Sequence, residues 1–311
     1  AFANPWLAEQ EDQARLDLAQ LVAEGDRLAF STDSYVIDPL FFPGGNIGKL
    51  AICGTANDVA VSGAIPRYLS CGFILEEGLP METLKAVVTS MAETARAAGI
   101  AIVTGDTKVV QRGAVDKLFI NTAGMGAIPA NIHWGAQTLT AGDVLLVSGT
   151  LGDHGATILN LREQLGLDGE LVSDCAVLTP LIQTLRDIPG VKALRDATRG
   201  GVNAVVHEFA AACGCGIELS ESALPVKPAV RGVCELLGLD ALNFANEGKL
   251  VIAVERNAAE QVLAALHSHP LGKDAALIGE VVERKGVRLA GLYGVKRTLD
   301  LPHAEPLPRI C

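Results

Sequence analysis

Three aspartates in the first half of the chain stand in segments that could bind a nucleotide. Asp33 lies in Ser-Thr-Asp-Ser, Asp58 in Ala-Asn-Asp-Val and Asp106 in Thr-Gly-Asp-Thr-Lys, each just after a segment with the pattern of a strand or a helix. Magnesium prefers hard oxygen ligands, and carboxylates at strand ends are well placed to hold it against phosphates. Any one of them alone is more typical of a turn or a helix cap. Together, beside Lys108, they favour a magnesium–nucleotide site.

Two glycine-rich segments in the second half each join a strand to a helix. The segment SGTLGDHG (148–155) could bind an anion through its main-chain amides, or it could be a plain glycine-rich turn with His154 as a capping or surface residue. The sequence leaves the role of His154 open. In DATRGGV (196–202), Arg199 stands beside two glycines, which suits recognition of phosphate or carboxylate, although Asp196 or Thr198 could simply cap the helix. Glu247, in Asn-Glu-Gly, could be a general base, a ligand or a turn residue.

Two other glycine segments do not complete a known nucleotide motif. GGNIGKL (44–50) is not a P-loop, because its first glycine is one residue too close and no Ser or Thr follows the lysine. GMGAIP (124–129) lacks the third glycine of a dinucleotide fingerprint. A nucleotide therefore needs a different fold to hold it.

The last residue, Cys311, is the most informative candidate for chemistry. A thiolate is the nucleophilic form of cysteine, and the prolines at 302, 306 and 308 predict an extended, poorly packed tail that exposes it. A prenylation box is excluded because it needs the cysteine four residues from the end. The alternative is an incidental terminal cysteine. Most of the other six cysteines are expected to be reduced core residues of a cytoplasmic protein.

The elements that position these residues predict two domains. A chain of 311 residues suits two cores, and strand-like and helical patterns alternate in both halves, which indicates an α+β or α/β class. We place the N-terminal domain at 1–130, the C-terminal domain at 131–300 and a flexible tail at 301–311. The clearest elements are helices at 47–62, 81–98, 157–165, 202–212 and 258–267, and strands at 69–75, 100–103, 117–126, 144–147 and 250–254.

Charge and hydropathy exclude two classes of function. The formal net charge is −11 and no run of Lys or Arg appears, which argues against nucleic-acid binding. No apolar stretch approaches the roughly 18 residues of a membrane span, and the first ten residues do not form a signal peptide. We therefore expect a cytoplasmic protein that contacts neither membrane nor nucleic acid.

Together these segments resemble the PurM/AIR-synthetase superfamily and, within it, the hydrogenase-maturation carbamoyl dehydratases. The shared segments are STDSYVIDPLFFPGGNIGKLAICGTANDVAVSGA (31–64), TGDTKVV (104–110), SGTLGDHG, DATRGG and NEG. The terminal Pro308-Arg309-Ile310-Cys311 distinguishes the hydrogenase-maturation proteins from the rest of the superfamily. The resemblance covers essentially the whole chain.

The resemblance implies a two-domain PurM-like fold and a homodimer whose N-terminal sheets pair. It implies ATP with Mg2+ held by Asp33, Asp58 and Asp106, and Lys108 and Glu247 as bases beside the catalytic Cys311. The other expected nucleotide-binding residues are Asn57, Gly105, Thr107, Asp196, Thr198, Arg199 and Gly200. It also implies a glycine-rich N-terminal segment over the phosphates. The printed chain starts at Ala1-Phe2-Ala3 without one, and either truncation or a disordered segment would explain this.

The implied chemistry is the dehydration of an amide. The HypF carbamoyltransferase delivers a carbamoyl group to Cys311, ATP phosphorylates the carbamoyl oxygen, and loss of phosphate leaves a thiocyanate. The cyanide then goes to the iron of [NiFe]-hydrogenase by way of the HypC–HypD complex. The tail must swing outward to be loaded, inward to react and outward to deliver.

Two other functions remain open from the sequence. One is a different ATP-using superfamily member, such as a selenophosphate synthetase or an AIR synthetase, although the former usually has a reactive Cys or selenocysteine near its N-terminus and no cysteine precedes Cys53 here. Activity that survives deletion of the last two residues would favour this group. The other is a non-catalytic, nucleotide-responsive scaffold with the tail as a docking peptide, which tail-dependent partner binding without ATP hydrolysis would favour.

Overall fold

The computed structural model describes residues 1–167, 169, 171–302 and 307–311, which fold as two compact units. The first unit comprises Ala1–Ile132, Cys175–Thr179 and Cys311. The second comprises His133–Asp174 and Pro180–Ile310. The division at Ile132 lies close to the boundary that we placed after residue 130, and the functional assignment of the two domains stays a prediction.

The first unit is a mixed sheet with helices. In the described residues it has four main strands in the order β1-β6-β4-β5, so that β1 and β5 are its edges. β4 pairs in parallel with β5, whereas β6 is antiparallel to both β1 and β4. Its elements are α1 (Pro5–Ala8), α2 (Leu18–Glu24), β1 (Arg27–Tyr35), β2 (Phe41–Phe42), β3 (Gly45–Asn46), α3 (Ile47–Ala60), β4 (Tyr68–Glu76), α4 (Met81–Ala97), β5 (Ala101–Val110) and β6 (Leu118–Ile128).

A buried chain of hydroxyl groups fixes α3 on this sheet. The Tyr35 hydroxyl lies 3.1 Å from Thr55 Oγ1, which lies 2.6 Å from Thr122 Oγ1. Thr122 in turn donates to the carbonyl oxygen of Ala51 at 3.1 Å. Buried polar groups are costly unless they are paired, so this set specifies one register between the helix and strands β1 and β6. The register places Asp58, one turn along α3, opposite β1.

The second unit is built on a larger sheet. Its described strands lie in the order β13-β12-β9-β11-β7-β10-β8, and only β9 with β12 is a parallel pair. Antiparallel pairs predominate, so within the predicted α+β or α/β class the α+β description applies. Its elements are β7 (Val144–Val147), α5 (Asp153–Glu163), α6 (Thr179–Gln183), β8 (Val191–Asp196), α7 (Gly201–Cys213), β9 (Gly216–Ser220), α8 (Pro228–Leu237), β10 (Leu250–Val254), α9 (Ala259–His267), β11 (Ala276–Val282), β12 (Gly286–Ala290) and β13 (Lys296–Thr298).

Asp33 and Asp106 do not lie where the sequence predicted. Both were expected just after an apolar, strand-like segment, but Asp33 lies inside β1 and Asp106 inside β5. Asp58 lies inside α3, within the helix predicted at 47–62. β1 and β5 are edge strands, and an edge strand can continue through polar residues because one of its sides is not covered by another strand. The apolar pattern therefore ends before the strand does.

Of the helices in the described residues, none combines the length and apolar character that a membrane crossing would require.

Replacing Gly48 by alanine is expected to destabilise the protein. A Cβ at Gly48 would collide with the main-chain oxygen of Val87, because α3 and α4 approach each other closely there. We expect a loss of about 1–3 kcal/mol, seen as a lower Tm. Gly232 in α8 is the matched control, since a Cβ there meets nothing within 4 Å. Gly232→Ala should be neutral or stabilising by up to about 1 kcal/mol, and equal Tm values for the two variants would contradict the close approach.

Candidate active site

Two of the three candidate magnesium ligands share one side of the first unit's sheet. The Ser31 hydroxyl donates to Asp58 Oδ2 at 2.7 Å, which brings α3 against β1. Asp33 lies two residues after Ser31 and therefore points to the same face of β1. Burial raises the pKa of the Asp33 carboxyl. The hydrogen bond that this carboxyl accepts from the Ser34 amide acts in the opposite direction and lowers the pKa. A desolvated carboxylate of this kind gains from a nearby cation.

Asp106 is not brought to that pair within one chain. Asp33 is in register with Thr122, and Asp106 with Gly72, on opposite edge strands. Three strand spacings separate the two edges by roughly 14 Å along the sheet. Lys108 Nζ lies 2.8 Å from Asp106 Oδ2, and its hydrogen bond to that carboxylate lowers the pKa of Asp106. Among the described residues, no group of three or more His, Cys, Asp or Glu side chains is arranged to hold a metal ion.

Asn57 and Gly105 have structural contacts in this unit. Asn57 Nδ2 donates to the carbonyl oxygen of Ala176 at 3.0 Å, and its Oδ1 accepts from the Leu178 amide at 2.8 Å. Both ends of the Asn57 amide therefore hold the segment Cys175–Thr179 in the first unit. A Cβ at Gly105 would collide with the carbonyl oxygen of Cys71. The Thr107 amide donates to Asp106 Oδ1 at 2.8 Å.

In the second unit, one buried amide side chain joins the three motif loops. Asn246 Oδ1 accepts from the Gly152 amide at 2.7 Å. Asn246 Nδ2 donates to the carbonyl oxygens of Ala197 at 2.9 Å and Phe244 at 3.0 Å. SGTLGDHG, DATRGG and NEG therefore lie together at one end of β7, β8 and β10. The sequence analysis did not identify Asn246 as a functional residue, although Asn246 directly precedes Glu247.

The segment from Asp196 to Gly200 leads into the N-terminus of α7. Asp196 is the last residue of β8 and is buried, and Thr198 O accepts from the Gly201 amide at 2.9 Å. Gly200 has φ +76°, a conformation that other residues adopt rarely, so glycine is required for this turn. A helix N-terminus of this kind favours negatively charged groups. Arg199 directly precedes it.

Glu247 is held by a buried carboxylate that the sequence did not reveal. Asp174 Oδ1 accepts from the Glu247 amide at 3.1 Å, and its Oδ2 accepts from the Gly248 amide at 3.2 Å. Lys249 Nζ lies 3.2 Å from the same Oδ2. Burial alone would raise the pKa of Asp174, but the Lys249 ammonium holds that pKa below its usual value. The Glu247 side chain is only 2% exposed, so its position is well defined.

Replacing Asp174 by asparagine should therefore reduce stability and activity together. The Lys249 ammonium would lose its buried partner, which costs about 3 kcal/mol when one half of such a pair is removed. Because the pKa of Asp174 is depressed in the folded state, its contribution is present above the unfolded pKa near 4 and is lost as the pH falls. Thermal unfolding from pH 3 to 7 should show a flatter acid slope for Asp174→Asn than for wild type. The exposed Glu208→Gln is the control, and equal Tm losses at pH 7 would contradict the prediction.

The end of the chain is packed, which corrects the expectation of a poorly packed tail. The side chains of Leu307 and Ile310 are each 3% exposed, and Cys311 is half-buried. In the first unit, the Val36 amide donates to the main-chain oxygen of Cys311 at 2.9 Å. Residues 303–306, including Pro306, lie outside the described residues. Apolar side chains at 307 and 310 outweigh the prolines in deciding how the described tail packs.

His154, whose role the sequence left open, contacts this tail in the second unit. Its Nε2 lies 2.8 Å from the carbonyl oxygen of Ile310, and its Nδ1 lies 2.7 Å from Ser173 Oγ. A carbonyl oxygen can only accept, so Nε2 carries the proton and Nδ1 accepts from the Ser173 hydroxyl. Burial lowers the pKa of His154, which fits this neutral form. Ser173 directly precedes Asp174, so adjacent residues support His154 and Glu247.

Most of the chain matches one protein family. Residues 10–128 match the model of the N-terminal domain of AIR synthase related proteins, and residues 140–291 match that of their C-terminal domain. The chain therefore belongs to the AIR synthase related family, which confirms the predicted two-domain PurM-like fold. Within that family it belongs to the HypE carbamoyl dehydratases, as the following relatives show.

Carbamoyl dehydratase HypE of Rhodobacter capsulatus is 50% identical over 304 residues, 97% of this chain and 89% of the relative. A crystal structure of E. coli HypE is 98% identical with a TM-score of 0.98, covering 100% of this chain and 96% of that one. A HypE structure in complex with ATP is 46% identical with a TM-score of 0.94, and the match covers 100% of this chain and 93% of that one. A HypE–HypF complex is also 46% identical, TM-score 0.87, covering 97% of each chain.

Proposed function

We propose that this protein is an ATP-dependent carbamoyl dehydratase that carries its substrate on Cys311. The observation that carries the proposal is the terminal Pro-Arg-Ile-Cys of a HypE family member, with its main chain bound by the folded protein. The product is the thiocyanate that supplies the cyanide ligands of [NiFe]-hydrogenase iron. The family match also favours this function over selenophosphate or AIR synthesis.

The reaction balances as the removal of water from a primary amide. The thiol of Cys311 carries a carbamoyl group, S–C(=O)NH2, and its oxygen attacks the γ-phosphorus of ATP, which releases ADP. The nitrogen then loses its protons as the C–O bond breaks, so that the oxygen leaves in inorganic phosphate. The products are S–C≡N, ADP, phosphate and one proton. Phosphorylation is needed because an amide oxygen is otherwise a poor leaving group.

The nucleotide residues are those that the sequence singled out, in two sets. In the first unit they are Asp33, Asn57, Asp58, Gly105, Asp106 and Thr107, and in the second unit Asp196, Thr198, Arg199 and Gly200. The ATP complex of a 46% identical HypE supports ATP as the nucleotide. The turn at Gly200 supports phosphate binding in the second unit through a helix N-terminus.

The carboxylates fit magnesium only in part. Asp33 and Asp58 supply hard oxygens on one side of the sheet, whereas Asp106 lies on the far edge strand. Magnesium that accompanies a nucleotide is usually bound by one or two carboxylates plus phosphate oxygens, so Asp33 and Asp58 are sufficient for one ion. Bound there, the metal would neutralise charge on the phosphates. Asp106, paired with Lys108, would bind the nucleotide apart from that ion.

Glu247 and Lys108 differ in how well they are prepared to take protons from the carbamoyl nitrogen. Glu247 is buried and its main chain is fixed by Asp174, which favours it as the base. Lys108 is exposed and paired with Asp106, so it must leave that carboxylate before it can accept a proton. We assign Glu247 the principal role and Lys108 the second.

The partners follow from the chemistry and from one exposed surface. The HypE–HypF complex supports the HypF carbamoyltransferase as the source of the carbamoyl group, and the HypC–HypD complex as acceptor remains part of the proposal. Leu28, Phe30 and Ile74 are exposed on the outer face of the first unit's sheet, which supports a homodimer in which these sheets pair. All seven cysteines are free thiols, consistent with a cytoplasmic protein.

Mass spectrometry of Cys311 tests the proposal. The full chain is incubated with HypF, carbamoyl phosphate and ATP, and the C-terminal peptide is analysed. We expect a carbamoyl adduct first and then, only with ATP, loss of the elements of water from that adduct. A nucleotide-responsive scaffold would instead show tail-dependent partner binding and no adduct on Cys311.

A further inference from the structure

Two side chains of α5 bind three successive main-chain oxygens of the tail in the second unit. Arg162 Nη1 donates to Pro308 O at 2.7 Å, and its Nη2 donates to Arg309 O. His154 Nε2 donates to Ile310 O at 2.8 Å. His154 and Arg162 are about two turns apart on α5, so both project from the same side of the helix.

We propose that His154 and Arg162 form a tail latch, a pair of positioning residues that hold the tail docked while the group on Cys311 is dehydrated. The latch rests on the proposed function, because it gives the docked tail a role in that reaction. Leu307 and Ile310 bury their side chains, and the latch fixes the main chain around them.

The geometry of the tail suits this kind of capture. Arg309 has φ +53°, an uncommon conformation for a residue other than glycine, and it forms a turn with Pro308. This turn presents the Pro308 and Arg309 oxygens to one guanidinium group. A planar guanidinium can bind two acceptors at once, whereas a lysine ammonium is a single point charge.

The latch contacts only the main chain, and its last contact is one residue before the reacting thiol. It therefore binds the free, carbamoylated and cyanated tail in the same way. A contact that is equal in all three forms cannot by itself favour release after reaction. Release for loading and delivery must then come from partners that compete for the tail.

His154 is held in the donor form that the latch requires. The Ser173 hydroxyl donates to Nδ1, which leaves the proton on Nε2, facing Ile310 O. Asp174, the next residue, holds the main chain of Glu247. A single dipeptide thus supports both the docked tail and the principal base, which links tail docking to the arrangement of the base.

The rate at which a maleimide alkylates Cys311 measures docking without ATP or HypF. Removing one hydrogen bond shifts such an equilibrium by up to about tenfold. We expect His154→Leu to raise the Cys311 rate by about that factor. His154→Gln should come closer to wild type, because its amide NH2 can replace the Nε2–H donor. Buried Cys53 and Cys175 should stay unreactive, which verifies that the variants are folded.

Arg162→Lys provides a second, independent variant on the helix surface. It should also raise the Cys311 rate, whereas Arg256→Lys, at an exposed pair with Glu280, should not. With HypF and ATP, the latch variants should load carbamoyl normally but accumulate it, because dehydration slows. Wild-type Cys311 rates in both His154→Leu and Arg162→Lys would overturn the latch, as would equal rates for His154→Leu and His154→Gln. If wild type forms no thiocyanate, the proposed function fails, and the alkylation rates still decide on the latch.

Discussion

Replacing Cys311 by serine is expected to abolish thiocyanate formation while the protein still folds. A serine hydroxyl does not form an appreciable anion near neutral pH, whereas a thiol does, and only the anion attacks well. The main-chain contacts of the tail use oxygens and should survive the change. We expect no cyanated product by mass spectrometry, and a free energy of unfolding within about 0.5 kcal/mol of the wild-type value.

Cys234→Ser is the matched control for the terminal variant. Burial raises the pKa of the Cys234 thiol to about 11, so this cysteine is not a thiolate at neutral pH. The control should retain full activity. Cyanide production that persists in Cys311→Ser would remove the basis of the proposed function, since the carrier would then be a group other than the Cys311 thiol.

Replacing Glu247 by glutamine should stop the reaction at a different step. The variant should accept the carbamoyl group at the wild-type rate, and dehydration should fall by about 10²–10⁴-fold because the general base is lost. Carbamoylated Cys311 should then accumulate in the presence of ATP. Glutamine fills the same volume, so the main-chain contacts with Asp174 should persist.

The readout for Glu247→Gln is the ratio of carbamoylated to cyanated C-terminal peptide over time. Glu280→Gln, which changes an exposed glutamate, is the control and should leave the ratio unchanged. If Glu247→Gln dehydrates as fast as wild type, the base is another group, and Lys108 becomes the first candidate.

Patterns that depend on local sequence predicted the fold well. The continuous apolar runs at 144–147 and 250–254 are strands β7 and β10 with the predicted bounds. Such runs report burial on both faces of a sheet, and that signal does not depend on the rest of the chain. The motif segments likewise predicted the family, which the comparisons confirm.

Contacts between distant segments could not be predicted in this way. His154 meets Ile310 across 156 residues, and Asp174 meets Glu247 across 73 residues. Asn57 was predicted to bind nucleotide, but its amide also holds residues 176 and 178. A local pattern shows that a polar side chain is present, whereas its partner is decided by how the chain folds. The separation of Asp106 from Asp33 follows from strand order in the same way.

Because the latch binds the main chain of the protein's own C-terminus, the tail behaves as a tethered ligand. A segment joined by a short stretch of chain reaches an effective concentration on the order of millimolar. An intrinsic dissociation constant of about 1 mM would then leave the tail bound roughly half of the time. Weak contacts are therefore sufficient for docking, and a partner in solution needs only moderate affinity to capture the end of the chain.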